Sequence, residues 1–278
     1  VRFAKGHGTG NDFVVLPDPD GVLALSPSLV RALCDRRRGI GGDGVLRVVA
    51  AAKHSEGVAM AGEAEWFMDY WNADGSVAEM CGNGARVFSR YLVAEGLAEP
   101  GEWSLATRAG LRPVRVPPAG DVTVDMGAPQ RLGDSHAVIA GRRLAGVGVC
   151  MGNPHLVCPV SAADLDALTL EDPPGFDAAM FPEGVNVELS TPVGDGHVRM
   201  RVHERGSGLT LSCGTGVCAA AAVALWQAGR SIGDVVVDVP GGRLTVALDG
   251  RTSRLTGPAV IVAEGVVNLD WLAATAAC

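Results

Sequence analysis

Short runs of valine and leucine, set apart by turn residues, recur along the chain. The segments VTVDM (122–126), VRMRV (198–202), VVVDV (235–239), LTVAL (244–248) and AVIVA (259–263) either alternate apolar with polar or are wholly apolar. These are the signatures of half-buried and fully buried strands. Two segments replace that rhythm with a helical one. GARVFSRYLVAEG, starting at Gly84, puts Val87, Phe88, Tyr91 and Leu92 on one face, the stripe of an amphipathic helix. GVCAAAAVALWQAG, starting at Gly216, is apolar on every side, which predicts a helix enclosed by protein. Its apolar core, Val217–Trp226, has half the length that a bilayer demands, so it reads as buried and not as a membrane span.

Each helical segment runs to a glycine, Gly96 or Gly229, suited to stop a helix at C′. Each also opens on the same kind of turn. EMCGNGARV (79–87) and LSCGTGVCA (211–219) stand 132 residues apart, and GTGNDFVVL is echoed by CMGNPHLVC, with Gly10-Asn11 and Gly152-Asn153 separated by 142. The spans Cys81 to Gly96 and Cys213 to Gly229 differ by one residue. Agreement in order and spacing points to an internal duplication. The expected fold is α+β, with two pseudo-symmetric domains, each a curved, mostly antiparallel sheet or barrel wrapped around a central helix. The proline-rich RPVRVPPAGD near 113–121 marks the expected boundary, giving domains 1–117 and 118–263. Two equivalent domains with one such cysteine apiece predict a site in a cleft where they meet.

A chain of 278 residues, 47% hydrophobic, is long enough for two ordinary domains. Its net charge of −8 speaks against a nucleic-acid or anionic-membrane partner. The opening VRFAKGHGTGND has no apolar signal region. The seven cysteines form no C-x-x-C pair, which together suggests free thiols in a reducing cytoplasm. Lysine occurs only at 5 and 53, against 21 arginines, so candidates for Schiff-base chemistry are few.

A helix N-terminus carries unpaired N–H groups and partial positive charge. It favours a thiolate, lowering a cysteine pKa from ~8.5 toward roughly 3.5–7.5, and it can grip a carboxylate. A glycine beside each cysteine lets backbone and ligand approach closely. Two such turns on opposite sides of a ligand suit two-base racemisation or epimerisation. One thiolate removes the proton α to a carboxylate and a thiol returns one to the other face, so the pair titrates as a coupled unit. Backbone donors bind the carboxylate more tightly as carbanion charge spreads onto it. Cys34, Cys150, Cys158, Cys218 and Cys278 have no second copy of their surroundings and read as structural thiols.

Three other classes fit less well. Gly39–Gly44 satisfies G-x-G-x-x-G, but it follows a helix-like LVRALCDRR and precedes a strand-like VLRVVAA, the reverse of a dinucleotide site. His197 and His203 share a strand face, with Arg199 and Arg201 between them to repel a metal cation. A cysteine hydrolase needs one nucleophile and a base, which explains neither the second thiol nor the duplication.

HGTGNDFVV, GIGGDGVL, WNADGSVAEMCGNGARV, MGNPH, EGVNVE and ERGSGLTLSCGTGVCAAA together resemble the diaminopimelate epimerases, essentially end to end. The resemblance implies cofactor-independent interconversion of LL- and meso-diaminopimelate, in lysine and peptidoglycan precursor synthesis, with no metal. It implies that Cys81 and Cys213 are the acid/base pair and that Gly82, Asn83, Gly214 and Thr215 hold the reacting α-carboxylate. Asn11, Asn72, Asn153, Asn186, Glu204 and Arg205 match positions that bind the substrate's amino and carboxylate groups. His155 matches a residue that tunes the thiols together with Glu204. A homodimer, and a return of residues 264–278 to the first domain, are also suggested by the likeness alone. Glu204 has support of its own, since Val198, Met200 and Val202 form an apolar strand face that it continues. Its inward carboxylate would then pair with Arg205 or a substrate ammonium. Gly44 departs from the pattern, because some family members carry a side-chain amide there. A proline racemase-type enzyme shares the paired-cysteine chemistry and remains the alternative. The many polar groups favour a substrate with a second amino-acid head.

Overall fold

The computed structural model describes residues 1–268, 270 and 271. It divides into two compact units, Val1–Val124 with the chain from Pro258 onward, and Asp125–Gly257.

In unit 1, β1 (Arg2–Gly8) and β2 (Asn11–Pro17) form a hairpin closed by Thr9 and Gly10, both at positive φ (50° and 82°). That backbone matches strand twist, and it presents Asn11 at the tip. Next comes α1 (Pro27–Cys34), capped by the Ser26 hydroxyl. Then β3 (Gly44–Ala50) lies parallel to β2, and β4 (Trp66–Asn72) antiparallel to β3. After α2 (Gly82–Ala94), β5 (Gly101–Thr107) runs parallel to β4. The strands β6 (Gly110–Val116) and β7 (Val122–Gly127) extend the sheet antiparallel.

Unit 2 repeats the plan. Strands β8 (Gln130–Ile139), β9 (Arg142–Cys150) and β10 (Pro154–Pro159) are antiparallel neighbours. After α3 (Ala162–Ala167), a two-residue β11 (Gly175–Phe176) lies on β8. Then β12 (Asn186–Gly194) is parallel to β10, and β13 (His197–Glu204) antiparallel to β12, with the short β14 (Gly208–Thr210) beside it. After α4 (Gly214–Gln227), β15 (Gly233–Val239) is parallel to β13. It is followed by antiparallel β16 (Gly242–Leu248) and β17 (Ser253–Gly257). The chain then returns to unit 1, where β18 (Val260–Val266) pairs with β1.

Read from β18 or from β8, the two sheets share one pairing order: antiparallel twice, parallel, antiparallel, parallel, then antiparallel twice. Helix α2 touches β18, β1, β2, β3, β4 and β6, while α4 touches β9, β10, β12, β13, β15, β16 and β17. A helix reaches strands at both ends of a sheet only if the sheet curls round it. The fold is therefore α+β, with a curved, mostly antiparallel sheet wound on a central helix, twice.

Each central helix ends in the same way. Gly96 N–H bonds Val93 O and Leu97 N–H bonds Leu92 O, while Gly229 N–H bonds Trp226 O and Arg230 N–H bonds Leu225 O. Both glycines lie at positive φ (67° and 69°), the double closure of a Schellman stop. The alanine run of α4 is buried, and its small side chains let the surrounding strands close on it. A bulkier residue there, such as Ala220→Leu, would overpack by about 1–3 kcal/mol.

Two expectations need correction. Helix α2 is not simply amphipathic, because Asn83, Arg86 and Ser89 on its polar side are also buried. The curled sheet covers that side too, and the Arg86 guanidinium donates to Gly82 O, Asn83 Oδ1, Thr9 Oγ1 and Pro258 O. The division of the chain falls after Val124, not within 113–121. Residues 113–116 are strand, and Arg90 holds the following turn through the carbonyls of Pro117, Pro118 and Gly120. Proline and glycine mark any chain reversal, so composition alone did not separate a turn within a unit from a linker. Residues 272–278, with Cys278 and most of the segment expected to return to the first domain, lie outside the described residues. No helix among the described residues is long and apolar enough to cross a membrane.

Candidate active site

Cys81 is the N-cap of α2, in an extended backbone, and its sulfur accepts the Gly84 N–H at 3.4 Å. The hairpin tip lies beside it. Asn11 Oδ1 takes the Asn83 Nδ2 donor at 3.2 Å and faces the Cys81 thiol at 3.8 Å. Asn11 is held from behind, since its Nδ2 donates to Asp43 Oδ2 at 2.8 Å, and the Asp12 N–H reaches the same oxygen. Arg36 bridges Asp12 and Asp43, and Lys5 pairs with Asp12 at 2.6 Å. Burial pushes the Asp12 carboxyl up, but Arg36 and Lys5 outweigh it and hold the group well below the usual carboxylate range. Asn72 closes β4, its amide donating to Ser76 Oγ at 3.0 Å. Gly82 and Asn83 are buried in the first turn of α2. A Cβ on Gly84 would come within 3.2 Å of Leu46 Cδ2, so the glycine lets the helix mouth press on β3.

Cys213 is the N-cap of α4 and is 5% exposed. Thr215 Oγ1 lies 3.5 Å from its sulfur. From there a chain of side chains leads inward: Asn153 Nδ2 to Thr215 Oγ1 at 3.4 Å, His155 Nε2 to Asn153 Oδ1 at 3.0 Å, and His155 Nδ1 to Glu188 Oε1 at 2.6 Å. His155 and Glu188 are both fully buried. Burial, reinforced by the Glu204 and Glu188 carboxylates, pushes the Cys213 thiol well above its ordinary value, against the Thr215 hydroxyl. Burial likewise raises the Glu188 carboxyl, and His155 opposes it. A Cβ on Gly216 would fall 2.5 Å from Glu188 Oε1, so any larger residue there would push the carboxylate off its place against His155. Gly214 is buried in the first turn of α4. Asn186 ties two loops together, donating to Pro154 O and accepting the Arg205 N–H.

The anticipated Glu204–Arg205 pairing takes another form. Glu204 is half-buried and accepts the Thr210 hydroxyl, while Arg205 extends to Glu183 O at 2.9 Å. The alternation breaks at the end of β13, because His203 turns inward to Leu170 O. His197 pairs with Asp238 at 2.7 Å. Burial pushes the Cys34 and Cys158 thiols to about 12, as suits inert packing groups. At Gly44 a Cβ would meet Trp71 O at 2.5 Å and the Tyr70 ring at 2.8 Å, so this backbone is closed to a side chain there.

Three residues near the cysteine motifs escaped the sequence reading: Asp43, Arg86 and Glu188. Glu188 left one trace, a carboxylate two residues past Asn186 and flanked by Val187 and Leu189. Asp43 and Arg86 left none, since an acid in a glycine loop and an arginine in a helix are ordinary surface residues.

The fold is shared with solved structures that include an epimerase and a phenazine biosynthesis protein. The chain matches a phenazine biosynthesis protein of the PhzF family from Bacillus anthracis with a TM-score of 0.68 at 16% identity, over 97% of this chain and 99% of that one. It matches a hydroxyproline epimerase from Agrobacterium vitis with a TM-score of 0.67 at 18% identity, over 97% and 92%. At such identities the likeness concerns the fold. Sequence goes further: the chain belongs to the diaminopimelate epimerase family, whose model matches residues 3–132 and 147–268. It is 52% identical to the diaminopimelate epimerase of Rhodococcus jostii over 98% of both chains, and 52% identical to that of Mycobacterium ulcerans over 97% of both.

Proposed function

We propose that this protein interconverts LL- and meso-2,6-diaminopimelate without a cofactor, Cys81 and Cys213 exchanging protons with one α-carbon. The observation that carries this reading is the repeated cysteine at the mouth of each central helix, in a family named for that reaction. A thiolate takes the α-proton and the other thiol delivers one to the opposite face; the roles reverse with direction. Helix-mouth N–H groups at Gly82-Asn83 and Gly214-Thr215 hold the α-carboxylate and bind it more strongly as negative charge spreads onto it. Asn11, Asn72, Asn153, Asn186, Glu204 and Arg205 bind the remaining ammonium and carboxylate groups, and His155 with Glu204 tunes the thiols. Units 1 and 2 act as the two epimerase domains, each supplying one thiol.

The free cysteines among the described residues suit a reducing compartment. We place the reaction in the cytoplasm, in lysine and peptidoglycan precursor synthesis, with a homodimer as the working assembly, which sizing of the purified protein tests. The decisive experiment incubates the protein with LL-diaminopimelate in heavy water. The meso isomer should form with deuterium at one α-carbon. No conversion, together with turnover of L-proline, would move the assignment to a proline racemase-type enzyme.

A further inference from the structure

The two units present different chemistry at matching positions behind their cysteines. Phe13 pairs with Gly44 across β2 and β3, as His155 pairs with Asn186 across β10 and β12. Two residues on, Val15 faces Leu46 where Val157 faces Glu188. The third residue of each central helix confirms the match, since a Cβ on Gly84 would meet Leu46 and one on Gly216 would meet Glu188. Unit 1 thus holds a phenylalanine and a leucine where unit 2 buries a histidine and a glutamate. Burying an ionisable pair is costly, and apolar replacements are often neutral or stabilising. Unit 1 builds the same strand order without the pair, so the fold does not require it.

We propose that Glu188 is a positioning residue for Cys213: it holds His155 and thereby sets, through Asn153 and Thr215, the direction of the hydrogen bond at the sulfur. When ionised, Glu188 can only accept, so the hydrogen shared with His155 Nδ1, 2.6 Å away, then sits on the nitrogen. Glu188 Oε2 has no hydrogen-bond partner among the described residues, and His155 is the side chain that holds Oε1. When Nε2 is also protonated, Asn153 presents Oδ1 to it and donates through Nδ2 to Thr215. The Thr215 O–H then points at Cys213 and favours the thiolate. This is the amide orientation in the structure. When Nε2 is bare, the Asn153 amide turns over, Nδ2 donates to the ring and Oδ1 takes the Thr215 O–H. Thr215 then accepts from the Cys213 S–H and favours the thiol. The two directions match the two protonation states that an acid/base cysteine must visit.

The ionisable groups around Cys213 are Glu204 from β13, Glu188 from β12 and His155 from β10. The other strands touching α4 bury Val149, Val235, Val237, Leu244, Val246 and Leu255. A charged histidine–glutamate pair carries no net charge, and neither does a neutral histidine beside glutamine. Replacing Glu188 by glutamine therefore changes the direction of the chain more than the charge behind the sulfur.

The inference rests on Cys213 acting as one of the two acid/bases, but its test reads the thiol and not turnover. Iodoacetamide labelling against pH, with Cys213 and Cys81 resolved by mass spectrometry, gives each thiol's midpoint. Glu188→Gln should raise the Cys213 midpoint by about one unit, the size of one hydrogen bond to a charged group, and leave Cys81 in place. Added to Thr215→Val, the same change should have no further effect. An unmoved Cys213 midpoint, or equal movement at both cysteines, overturns the proposal. If the variant does not fold, histidine ring nitrogen NMR of the wild type decides the matter. A protonated Nδ1 on His155 supports the chain, and a bare one ends it.

Discussion

At its fifth residue α2 carries Arg86, where α4 carries Cys218. The guanidinium is wholly buried and satisfied by oxygen atoms, and the strand positions matching His155 and Glu188 hold the apolar Phe13 and Leu46. Around Cys213 the helix is apolar and the backing is ionisable, with His155 on Glu188. The pairing order of the strands is the same, and so are the helix stops and the extended cysteine N-caps. The two halves share what positions a thiol and differ in the residues behind it. The proposed two-base reaction would draw on that division of labour, since it needs one sulfur bare while the other is protonated.

The largest expected effect tests whether both halves are needed. Cys81→Ala and Cys213→Ala should each lower kcat/KM by about 10³-fold or more, in the range of lost acid–base catalysis. Normal turnover by either variant, followed as deuterium uptake at the α-carbon, would break the comparison. Next comes a transplant of one backing into the other. His155→Phe with Glu188→Leu should leave the melting temperature unchanged or raised, yet lower kcat/KM by about 100-fold. Glu188→Leu alone should destabilise by about 3 kcal/mol in denaturant titration, because it leaves His155 buried beside a lost partner. Arg86→Met should cost about 2–3 kcal/mol by the same measurement, as it orphans buried acceptors beneath α2.

The smallest effect concerns acid. Asp12 is held below its unfolded value of 3.8, so its contribution is present above that pH and is lost as pH falls through the lower folded value. Glu188 runs the other way. Its carboxyl is raised above 4.5 by burial, so its contribution is present below 4.5 and is lost as pH rises through the folded value. Hydrogen exchange on acidification should therefore show the β1–β2 tip opening before the strands around Glu188. Asp12→Asn should shift that opening by about 1 kcal/mol or less, since the ion cluster is open to solvent screening.

Much of this was legible before any coordinates. Periodicity located β7, β13, β15, β16 and β18 and both central helices, because alternation and glycine stops act within a few residues of themselves. The echo of Gly10-Asn11 in Gly152-Asn153 revealed the repeat, and the cysteine turns marked each helix mouth. Asn11, Asn83, Asn153, His155 and Thr215 do gather at those mouths. The hydrogen bonds of Asn72 to Ser76 and of Arg205 to Glu183 O were not legible in the sequence. Such choices depend on which neighbour comes within hydrogen-bond reach, and a linear pattern does not carry that information.

By itself, the sequence determined the elements, the duplication, the family and the two cysteines, all of which rest on local spacing or on motif identity. Only the tertiary structure decided that β18 crosses back to complete the first sheet, that Arg86 and Glu188 are buried, and that an acid two residues past Asn186 backs a histidine. Those facts join residues from 33 positions apart, His155 and Glu188, to 264 apart, Arg2 and Val266, and they arise because a curled sheet brings distant strands against one helix.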